Sequence, residues 1–227
     1  MNCAIASSAR RLRRIAGLAA APFYSHRFGI ERIAAGHFVH TGLDENSVVL
    51  DCGLGDNADF SSAIIARFGS QCYGVDPTRK HQQSLASIAC RHGSHLKHVP
   101  VALAAATEWM TFYEPLDQIS GSLFREHVNA NNAVSYQVPS SSFEDLLGKL
   151  GLAQVDLLKL DIEGAEYEVL TSIGDKTLAG IQQIVVEFHH YCVPRFPASQ
   201  TRNTIARLKW LGFQPYSVDG INYLFFR

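Results

Sequence analysis

The stretch from Val48 to Asp59, VVLDCGLGDNAD, constrains the fold more than any other part of the chain. Its pattern predicts a buried strand over Ser47 to Asp51, followed by a tight glycine turn and a helix. Gly53 and Gly55 have no side chains, so a ligand can approach the backbone closely, and glycine tolerates the unusual dihedral angles of such a turn. In an open α/β sheet, nucleotide-like ligands bind at the carboxyl end of the first strand. The stretch therefore predicts a ligand site at the edge of an α/β sheet.

The composition is that of one large domain with a substantial core. The chain has 227 residues, of which 47% are hydrophobic and 18% charged, and its net charge of -1 gives no sign of a nucleic-acid partner. The five cysteines are scattered and lack CxxC spacing, which favours reduced thiols over a disulfide or zinc framework. No apolar run has the length of a membrane span. These features predict a cytoplasmic protein, and none of them indicates an oligomeric state.

Residues 1–45 are predicted to form an N-terminal helical extension ahead of the main domain, which comprises residues 46–227. An arginine-rich segment from Arg10 to Arg14 precedes the short apolar run IAGLAAAPF, and Phe28 to His40 has helical spacing. The preferred interpretation of the arginine segment is a solvated basic helix packed on the domain. Two alternatives remain open, a signal-peptide-like leader and an amphipathic helix that contacts an anionic membrane surface.

Strands and helices alternate along the rest of the chain, which predicts parallel βαβ units. The later strands are predicted at Gln71 to Asp76, Leu96 to Val101, Val155 to Asp161 and Ile181 to Phe188. The helices are predicted at Asn57 to Phe68, Thr78 to Arg91, Phe143 to Leu150, Ala165 to Ser172 and Gln200 to Leu211. An insert at about residues 104–142 interrupts this rhythm and is expected to lie near the site. Asp219-Gly220 near the end is a strong hairpin signal, so the last strand should run antiparallel.

Two ligands compete for the glycine turn. Gly53 to Ala58 fits the G-x-G-x-x-G/A dinucleotide fingerprint, and Asp76 follows Gly55 by 21 residues, near the position of a ribose-binding acid. However, Asp51 and Asp56 flank the glycines with no basic residue in the loop, and two carboxylates would repel a pyrophosphate. They suit S-adenosylmethionine, which carries an ammonium and a sulfonium group and no phosphate. In that interpretation Asp51 binds the ammonium side directly or through water, and Asp76 binds the ribose hydroxyls.

A second motif extends this interpretation. Lys159 to Glu166 reads KLDIEGAE, and its Asp161 ends a strand at the same sheet edge as Asp51. Here the chain resembles the FkbM family of methyltransferases over roughly Val48 to Arg227. The matching pieces are LDCGLGD, YGVDPT, VPSSSFEDLL, KLDIEGAEYEVL and IVVEFHH, and they occur in family order. The turn departs from the family's frequent DxGxNxG, because Gly55 and Asn57 occupy the positions of the asparagine and the second glycine.

The resemblance implies an α/β fold of the class I methyltransferase (Rossmann-like) type. That fold has a mostly parallel seven-stranded sheet with an antiparallel C-terminal strand and helices on both faces. The implied activity is S-adenosylmethionine-dependent O-methylation of a hydroxyl, on a small molecule or glycan such as a sugar or a natural product. The residues expected to bind the cofactor are Asp51, Gly53, Leu54, Gly55, Asn57, Asp76, Pro77, Ala102 and Asp161.

Methyl transfer to an alcohol requires a general base, because the hydroxyl has to lose its proton. The candidate catalytic residues are Asp161, Glu163, Glu187 and His189, with His190 as a further candidate base. Adjacent side chains in an extended segment point to opposite faces, so at most one of the two histidines should face the site. Asp161 and Glu163 with a nearby histidine could also bind a divalent cation. No third ligand can be named from the sequence, so a metal-free base is preferred.

Two other functions remain open. An oxidoreductase of the Rossmann type that uses NAD(P) would explain the same glycine turn. A non-catalytic scaffold could keep the methyltransferase fold without its chemistry. The insert carries polar side chains suited to sugar hydroxyls, namely Arg125, His127, Asn129, Asn131 and Asn132.

Overall fold

The computed structural model describes residues 27–227, so the predicted helix at Arg10 to Arg14 lies outside the described residues. The strands, in chain order, are β1 (Ile30–Arg32), β2 (Phe38–His40), β3 (Val48–Cys52), β4 (Gln71–Val75), β5 (Leu96–Val99), β6 (Ala102–Leu103), β7 (Trp109–Pro115), β8 (Ala133–Ser141), β9 (Leu157–Leu160), β10 (Gln183–Glu187), β11 (Gln214–Tyr216) and β12 (Asn222–Phe226). The α-helices between them are α1 (Asp59–Phe68), α2 (Gln82–His92), α3 (Phe143–Leu150), α4 (Glu166–Ser172), α5 (Asp175–Leu178) and α6 (Ala198–Trp210).

Seven strands form the central sheet, in the order β11-β12-β10-β9-β3-β4-β5. From β10 to β5 all neighbours are parallel, whereas β12 is antiparallel to both β10 and β11. One core cluster packs α3, α4 and α6 on one face of the sheet, and a second packs α1 and α2 on the other. Coverage on both faces explains why β9 is buried along its whole length. The predicted sheet, with its antiparallel C-terminal strand and helices on both faces, is confirmed.

Local signals in the sequence account for several element ends. Ser142 caps α3, because its Oγ accepts a hydrogen bond from the N–H of Asp145 at 3.2 Å. At the C-terminal hairpin, Oδ1 of Asp219 accepts the N–H groups of Ile221 at 2.9 Å and Asn222 at 2.8 Å. This carboxylate shapes the turn that reverses the chain between β11 and β12.

The predicted helix from Phe28 to His40 is wrong. This segment forms a β-hairpin in which β1 and β2 are antiparallel, with Ile30 opposite His40. Gly29 and Gly36 have positive φ angles of 62° and 86°, which interrupt any helix across the segment. The side-chain amide of Gln183 accepts from the N–H of His40 at 2.8 Å and donates to its C=O at 2.9 Å, which ties the hairpin to β10.

The insert forms a small sheet of its own. The strands β7 and β8 pair antiparallel from Trp109 opposite Pro139 to Pro115 opposite Ala133, and β6 pairs with β8 in parallel. The sequence pattern predicts short strands here, over Trp109 to Tyr113 and Val134 to Val138, and both β7 and β8 are longer than predicted. Within residues 27–227, no helix combines the length and apolar character that a membrane span needs.

Candidate functional site

A solvent-open cleft of about 610 Å³ lies at the carboxyl edge of the parallel strands. Its walls come from the glycine turn, the ends of β4 and β9, and the insert, which contributes Phe112, Ile119, Ser120, Gly121 and Leu123. The ionisable groups that line the cleft are Asp76, Asp161 and Glu163, and all of them are carboxylates. Among the described residues, no lysine, arginine or histidine lines this cleft, so its charge favours a cationic ligand.

The two glycines of the turn have different roles. A Cβ atom on Gly53 would lie 1.8 Å from the backbone O of Asp161. The backbone N–H of Gly53 donates to the C=O of Val75 at 2.9 Å. Gly53 therefore permits close approach of β3, β4 and β9, and it also lines the cleft. A Cβ atom on Gly55 would meet only Ile119 Cγ2, at 3.8 Å, across the cleft. Gly55 is the glycine that leaves room for a ligand.

Asp51 lies behind the glycine turn and does not line the cleft. Its side chain is fully buried, Oδ2 accepts the hydroxyl of Ser61 at 2.7 Å, and Oδ1 lies 3.2 Å from Nζ of Lys159. Of the two predicted modes, this position does not agree with a direct contact between Asp51 and the ammonium of a ligand, and the contact through water stays a prediction. The carboxylate instead holds β3 to α1 and β9.

Asp76 lines the cleft at the end of β4, together with Pro77. Its Oδ2 accepts the N–H of Leu54 at 2.9 Å and its Oδ1 accepts the N–H of Thr78 at 2.8 Å. Each carboxylate oxygen can accept more than one hydrogen bond, so both remain able to bind ligand hydroxyls. The carboxylate is thus fixed in place by the glycine turn and by its own strand end.

Three other predicted cofactor residues differ in position. Ala102 lines the cleft, but neither Leu54 nor Asn57 does. The side chain of Leu54 packs against Gly74, and that of Asn57 is exposed, with its Oδ1 accepting the N–H of Asp59 at 3.2 Å. Leu54 and Asn57 therefore contribute to the structure of the glycine turn, and their side chains do not line the cleft.

The predicted catalytic residues lie together in what we term the carboxylate cluster, which comprises Asp161, Glu163, Glu166, Glu187 and His189. Nε2 of His189 lies 3.7 Å from Asp161, 3.6 Å from Glu163 and 3.9 Å from Glu187. On the other side of the ring, Nδ1 lies 3.2 Å from Oε1 of Glu166, which also accepts the backbone N–H of His189 at 2.7 Å. Four carboxylates therefore surround one buried imidazole.

The cluster shifts the pKa values of its members. Burial lowers the pKa of His189, but the carboxylates of Glu166, Glu163 and Asp161 outweigh it and raise the pKa to about 10. Burial and the charge of Asp161 raise the pKa of Glu187 to about 7. Burial opposes ionisation of Asp161, yet Lys159 and His189 hold its pKa below the usual range. The shifts show how strongly these groups interact.

His190 faces away from the cluster, and its Nδ1 lies 3.1 Å from the hydroxyl of Thr201. The prediction that at most one of the two histidines faces the site is confirmed. Glu166 occupies the first turn of α4 and is fully buried, with Oε2 accepting the N–H of Gly164 at 2.9 Å. It acts as the acceptor that orients His189.

Glu163 has a backbone conformation that non-glycine residues rarely adopt, with a φ of 52°. Such a conformation costs about 1–3 kcal/mol and persists where surrounding contacts impose it. Oε2 of Glu163 lies 2.8 Å from Nε2 of His127, and the C=O of Glu163 accepts the hydroxyl of Ser122 at 2.7 Å. The insert therefore positions Glu163, and the buried His127 is not available to a sugar, contrary to expectation.

Two further residues of the site were missed in the sequence. Lys159 lies in β9 with its Nζ 3.5 Å from Asp161. Its position inside the apolar run LLKL is a sequence pattern that could have identified it. Such a buried cation needs an anionic partner. His37 is 2% exposed, and its Nε2 lies 3.8 Å from Oδ2 of Asp161. No local pattern marks His37, because the β1–β2 hairpin brings it to the site from outside the recognised motifs.

Comparison with solved structures shows the same fold in proteins of low identity. A methyltransferase FkbM from Methylobacillus flagellatus KT has a TM-score of 0.55 and 16% identity, with 91% of this chain and 50% of that chain covered. The fibrillarin pre-rRNA processing protein of Methanococcus jannaschii has a TM-score of 0.50 and 9% identity, with coverage of 92% and 73%. Likeness at these identities shows the fold alone.

Comparison at the sequence level gives a short relative and a long family match. The AMB antimetabolite synthetase AmbE of Pseudomonas aeruginosa is 46% identical over 46 residues, which are 20% of this chain and 2% of that much longer protein. The family model described as methyltransferase FkbM domain matches residues 51–215, from Asp51 in β3 to Pro215 in β11. Because this match extends over well more than half of the sequence, the chain belongs to the methyltransferase FkbM domain family.

Proposed function

We propose that the protein is an S-adenosylmethionine-dependent O-methyltransferase that acts on a hydroxyl of a sugar or a natural product. The observation that carries the proposal is the cleft next to the carboxylate cluster, where every ionisable side chain contributed by residues 27–227 is a carboxylate. A pyrophosphate would face Asp76, Asp161 and Glu163 with no cationic side chain from the described part of the chain in the cleft lining, which opposes an NAD(P)-dependent oxidoreductase. Membership of a methyltransferase family supports the same conclusion.

The residues of the cleft fit the proposed cofactor. Asp76 offers two fixed oxygens to the ribose hydroxyls, and Gly55 leaves space beside the turn. The apolar side chains of Val75, Leu103 and Phe112 offer a surface for an adenine ring. When bound, the cofactor supplies an electrophilic methyl group on a sulfonium, and the cleft carboxylates attract that positive charge.

We infer that Glu163 accepts the proton of the substrate hydroxyl. It lines the cleft, whereas Glu187 and His189 do not, and Asp161 already contacts Lys159. Its unusual backbone conformation and its contact with His127 hold the carboxylate at the cleft wall. Positioning of this kind accounts for much of the rate enhancement when the reaction brings two substrates together.

The acceptor class has separate support. A short segment is 46% identical to a protein named as an antimetabolite synthetase, and this similarity favours a small-molecule acceptor over a macromolecule. The insert contributes apolar Ile119 and polar Ser120 to the cleft, a mixture that suits a partly apolar acceptor with hydroxyl groups. A labelled-methyl transfer screen of glycans and secondary metabolites would identify it.

Calorimetry with S-adenosylhomocysteine and with NADH separates the main alternatives. We expect S-adenosylhomocysteine to bind with one site per chain and NADH to show no binding. Binding of NADH without S-adenosylhomocysteine would favour the oxidoreductase. A protein that binds S-adenosylhomocysteine but transfers no methyl group to any acceptor in the screen would favour the scaffold.

The substitution Asp76→Ala should raise the Kd for S-adenosylhomocysteine at least about tenfold, because it removes hydrogen bonds of roughly 1 kcal/mol each to the ribose hydroxyls. Calorimetry measures the affinity, and thermal unfolding checks that the variant is folded. The matched control is Asp59→Ala, which removes an exposed carboxylate in the first turn of α1. Equal affinities for the Asp76→Ala and Asp59→Ala variants would exclude the proposed ribose contact.

The substitution Glu163→Gln should lower kcat about 10²-fold, because general base catalysis contributes at least that factor. The KM for S-adenosylmethionine should change little, since the amide keeps the shape of the side chain. The rate is measured as labelled-methyl transfer to an acceptor found in the screen. Glu168→Gln, at a half-buried position in α4 that does not line the cleft, is the control. An unchanged kcat for the Glu163→Gln variant would assign the base to another group.

A further inference from the structure

The carboxylate cluster and its neighbours carry more negative charge than the described side chains can balance. Besides Asp161, Glu163, Glu166 and Glu187, the buried Asp51 lies in the same region and contacts Lys159. Five carboxylates therefore face one lysine and the imidazoles of His37, His127 and His189. A buried charge that is not paired is costly, so this site is suited to a bound cation.

A second imidazole lies beside this negative region. His37 is 2% exposed, and its buried Nδ1 has no hydrogen-bond partner among residues 27–227. Its Nε2 lies 3.8 Å from Oδ2 of Asp161, which is beyond hydrogen-bonding distance. A buried imidazole of this kind offers an uncommitted nitrogen lone pair, and neutral imidazole is a common metal ligand.

The imidazole of His189 is oriented as a metal ligand. Its Nδ1 faces Oε1 of Glu166 at 3.2 Å, so its Nε2 is directed at the other carboxylates. Histidines that bind metals almost always donate the second ring N–H to a carboxylate, a carbonyl or a water molecule. The Glu166–His189 pair has this arrangement, and it is independent of His37.

The distances suit a shared ion. Ligand atoms on one ion lie roughly 3–4 Å apart, because each is about 2.0–2.2 Å from the metal. Oδ1 of Asp161 lies 3.7 Å from Nε2 of His189, and Oδ2 lies 3.8 Å from Nε2 of His37. Oε1 of Glu187 is 3.9 Å from Nε2 of His189, and it lies within 4.8 Å of the ligand atoms of His37 and Asp161.

We propose that His37, Asp161, Glu187 and His189 bind one divalent cation of the Mn²⁺ or Zn²⁺ class. Mixed imidazole and carboxylate ligands suit these ions better than Mg²⁺ or Ca²⁺, which take oxygen ligands. His37 supplies the ligand that the recognised motifs lack, and it lies outside the family match at residues 51–215. A role for the ion in acidifying the acceptor hydroxyl rests on the proposed function, whereas the binding of the ion does not.

The test is a titration of the full chain, freed of metal by a chelator, with Mn²⁺ followed by electron paramagnetic resonance and, separately, with Zn²⁺ by calorimetry. We expect one ion per chain in the absence of any methyl donor. The variants His37→Gln and Asp161→Asn should each weaken binding at least about tenfold, since each loses a direct ligand. The control His95→Ala removes an exposed histidine outside the cluster and should bind like the wild type.

Circular dichroism and S-adenosylhomocysteine binding show whether the variants are intact. His37 does not line the cleft, so the His37→Gln variant should keep its affinity for S-adenosylhomocysteine. Absence of stoichiometric Mn²⁺ and Zn²⁺ binding in the folded wild type, or equal binding by the His37→Gln variant, would overturn the site and leave the methyltransferase proposal standing. Metal binding without S-adenosylhomocysteine binding would uphold the site and count against the methyltransferase proposal.

Discussion

Replacement of Gly53 by alanine is expected to lower the free energy of unfolding by about 3–5 kcal/mol, through a steric clash and an unfavourable backbone angle. The new Cβ atom would lie 1.8 Å from the backbone O and 2.8 Å from the backbone C of Asp161. Neither atom belongs to a flexible side chain, so the clash can be removed only if the end of β9 moves away from β3. That movement displaces Asp161 from the cleft wall. Urea unfolding measures the loss of stability, and calorimetry should show loss of S-adenosylhomocysteine binding.

The matched control for this variant is Gly212→Ala. Gly212 has a φ of 94°, close to the 88° of Gly53, but a Cβ atom there would meet nothing within 4 Å. Its loss of stability should be about 1–2 kcal/mol, which is the cost of the left-handed backbone conformation alone. The difference between the two variants isolates the clash with Asp161. Equal losses for both would show that the backbone angle, and not the crowded strand ends, explains the requirement for glycine at position 53.

The strand-turn-helix pattern around Gly53 and Gly55 could be predicted from the sequence because its signals are local. The alternation of strands and helices then implies a parallel sheet, and Asp219-Gly220 implies the antiparallel last strand. The reason for Gly53 could not be predicted, since the atom that excludes a side chain belongs to Asp161. Contacts between residues so distant in sequence depend on how the strands pack.

The hairpin from Ile30 to His40 shows where periodicity fails. Its apolar residues have helical spacing, but Ile30, Phe38 and Val39 are buried against the second core cluster while Gly29 and Gly36 take positive φ angles. Tertiary packing therefore overrides the local pattern. This error affects the prediction of the site, because it is the hairpin that brings His37 close to Asp161.

The carboxylates of the candidate site could be predicted from the sequence, but its lysine and its buried histidines from other elements could not. Three carboxylates lie at or just beyond the ends of parallel strands, namely Asp161, Glu163 and Glu187. The ends of parallel strands share one edge of the sheet, so these residues are expected to lie close together. The contact of His127 with Glu163 depends on the path of the insert, which has no repeating pattern. Asp51 was placed in the cleft by its position in the motif, yet burial and Lys159 hold it behind the turn.

Replacement of Lys159 by methionine is expected to lower the free energy of unfolding by about 3–5 kcal/mol, the cost of leaving a buried charge without its partner. Lys159 is 3% exposed, with Nζ 3.2 Å from Asp51 and 3.5 Å from Asp161. Burial acts to lower the pKa of Lys159, but the two carboxylates outweigh it and raise the pKa above its usual value, so the lysine stays charged. Methionine keeps the apolar stem and removes only the ammonium. Urea unfolding measures the change.

A double-mutant cycle assigns this loss to the ion pair. In the Asp51→Asn variant the hydroxyl of Ser61 can still donate to the side-chain oxygen, as it does to Asp51 at 2.7 Å, so this position tolerates a neutral amide. The double variant Asp51→Asn/Lys159→Met should therefore be more stable than the Lys159→Met variant, with a coupling of about 1–3 kcal/mol. Lys97→Met, an exposed lysine on β5 of the same sheet, should change stability by less than about 0.5 kcal/mol. If the Lys159→Met variant were as stable as the Lys97→Met variant, the buried pair could not contribute to holding β3 against β9.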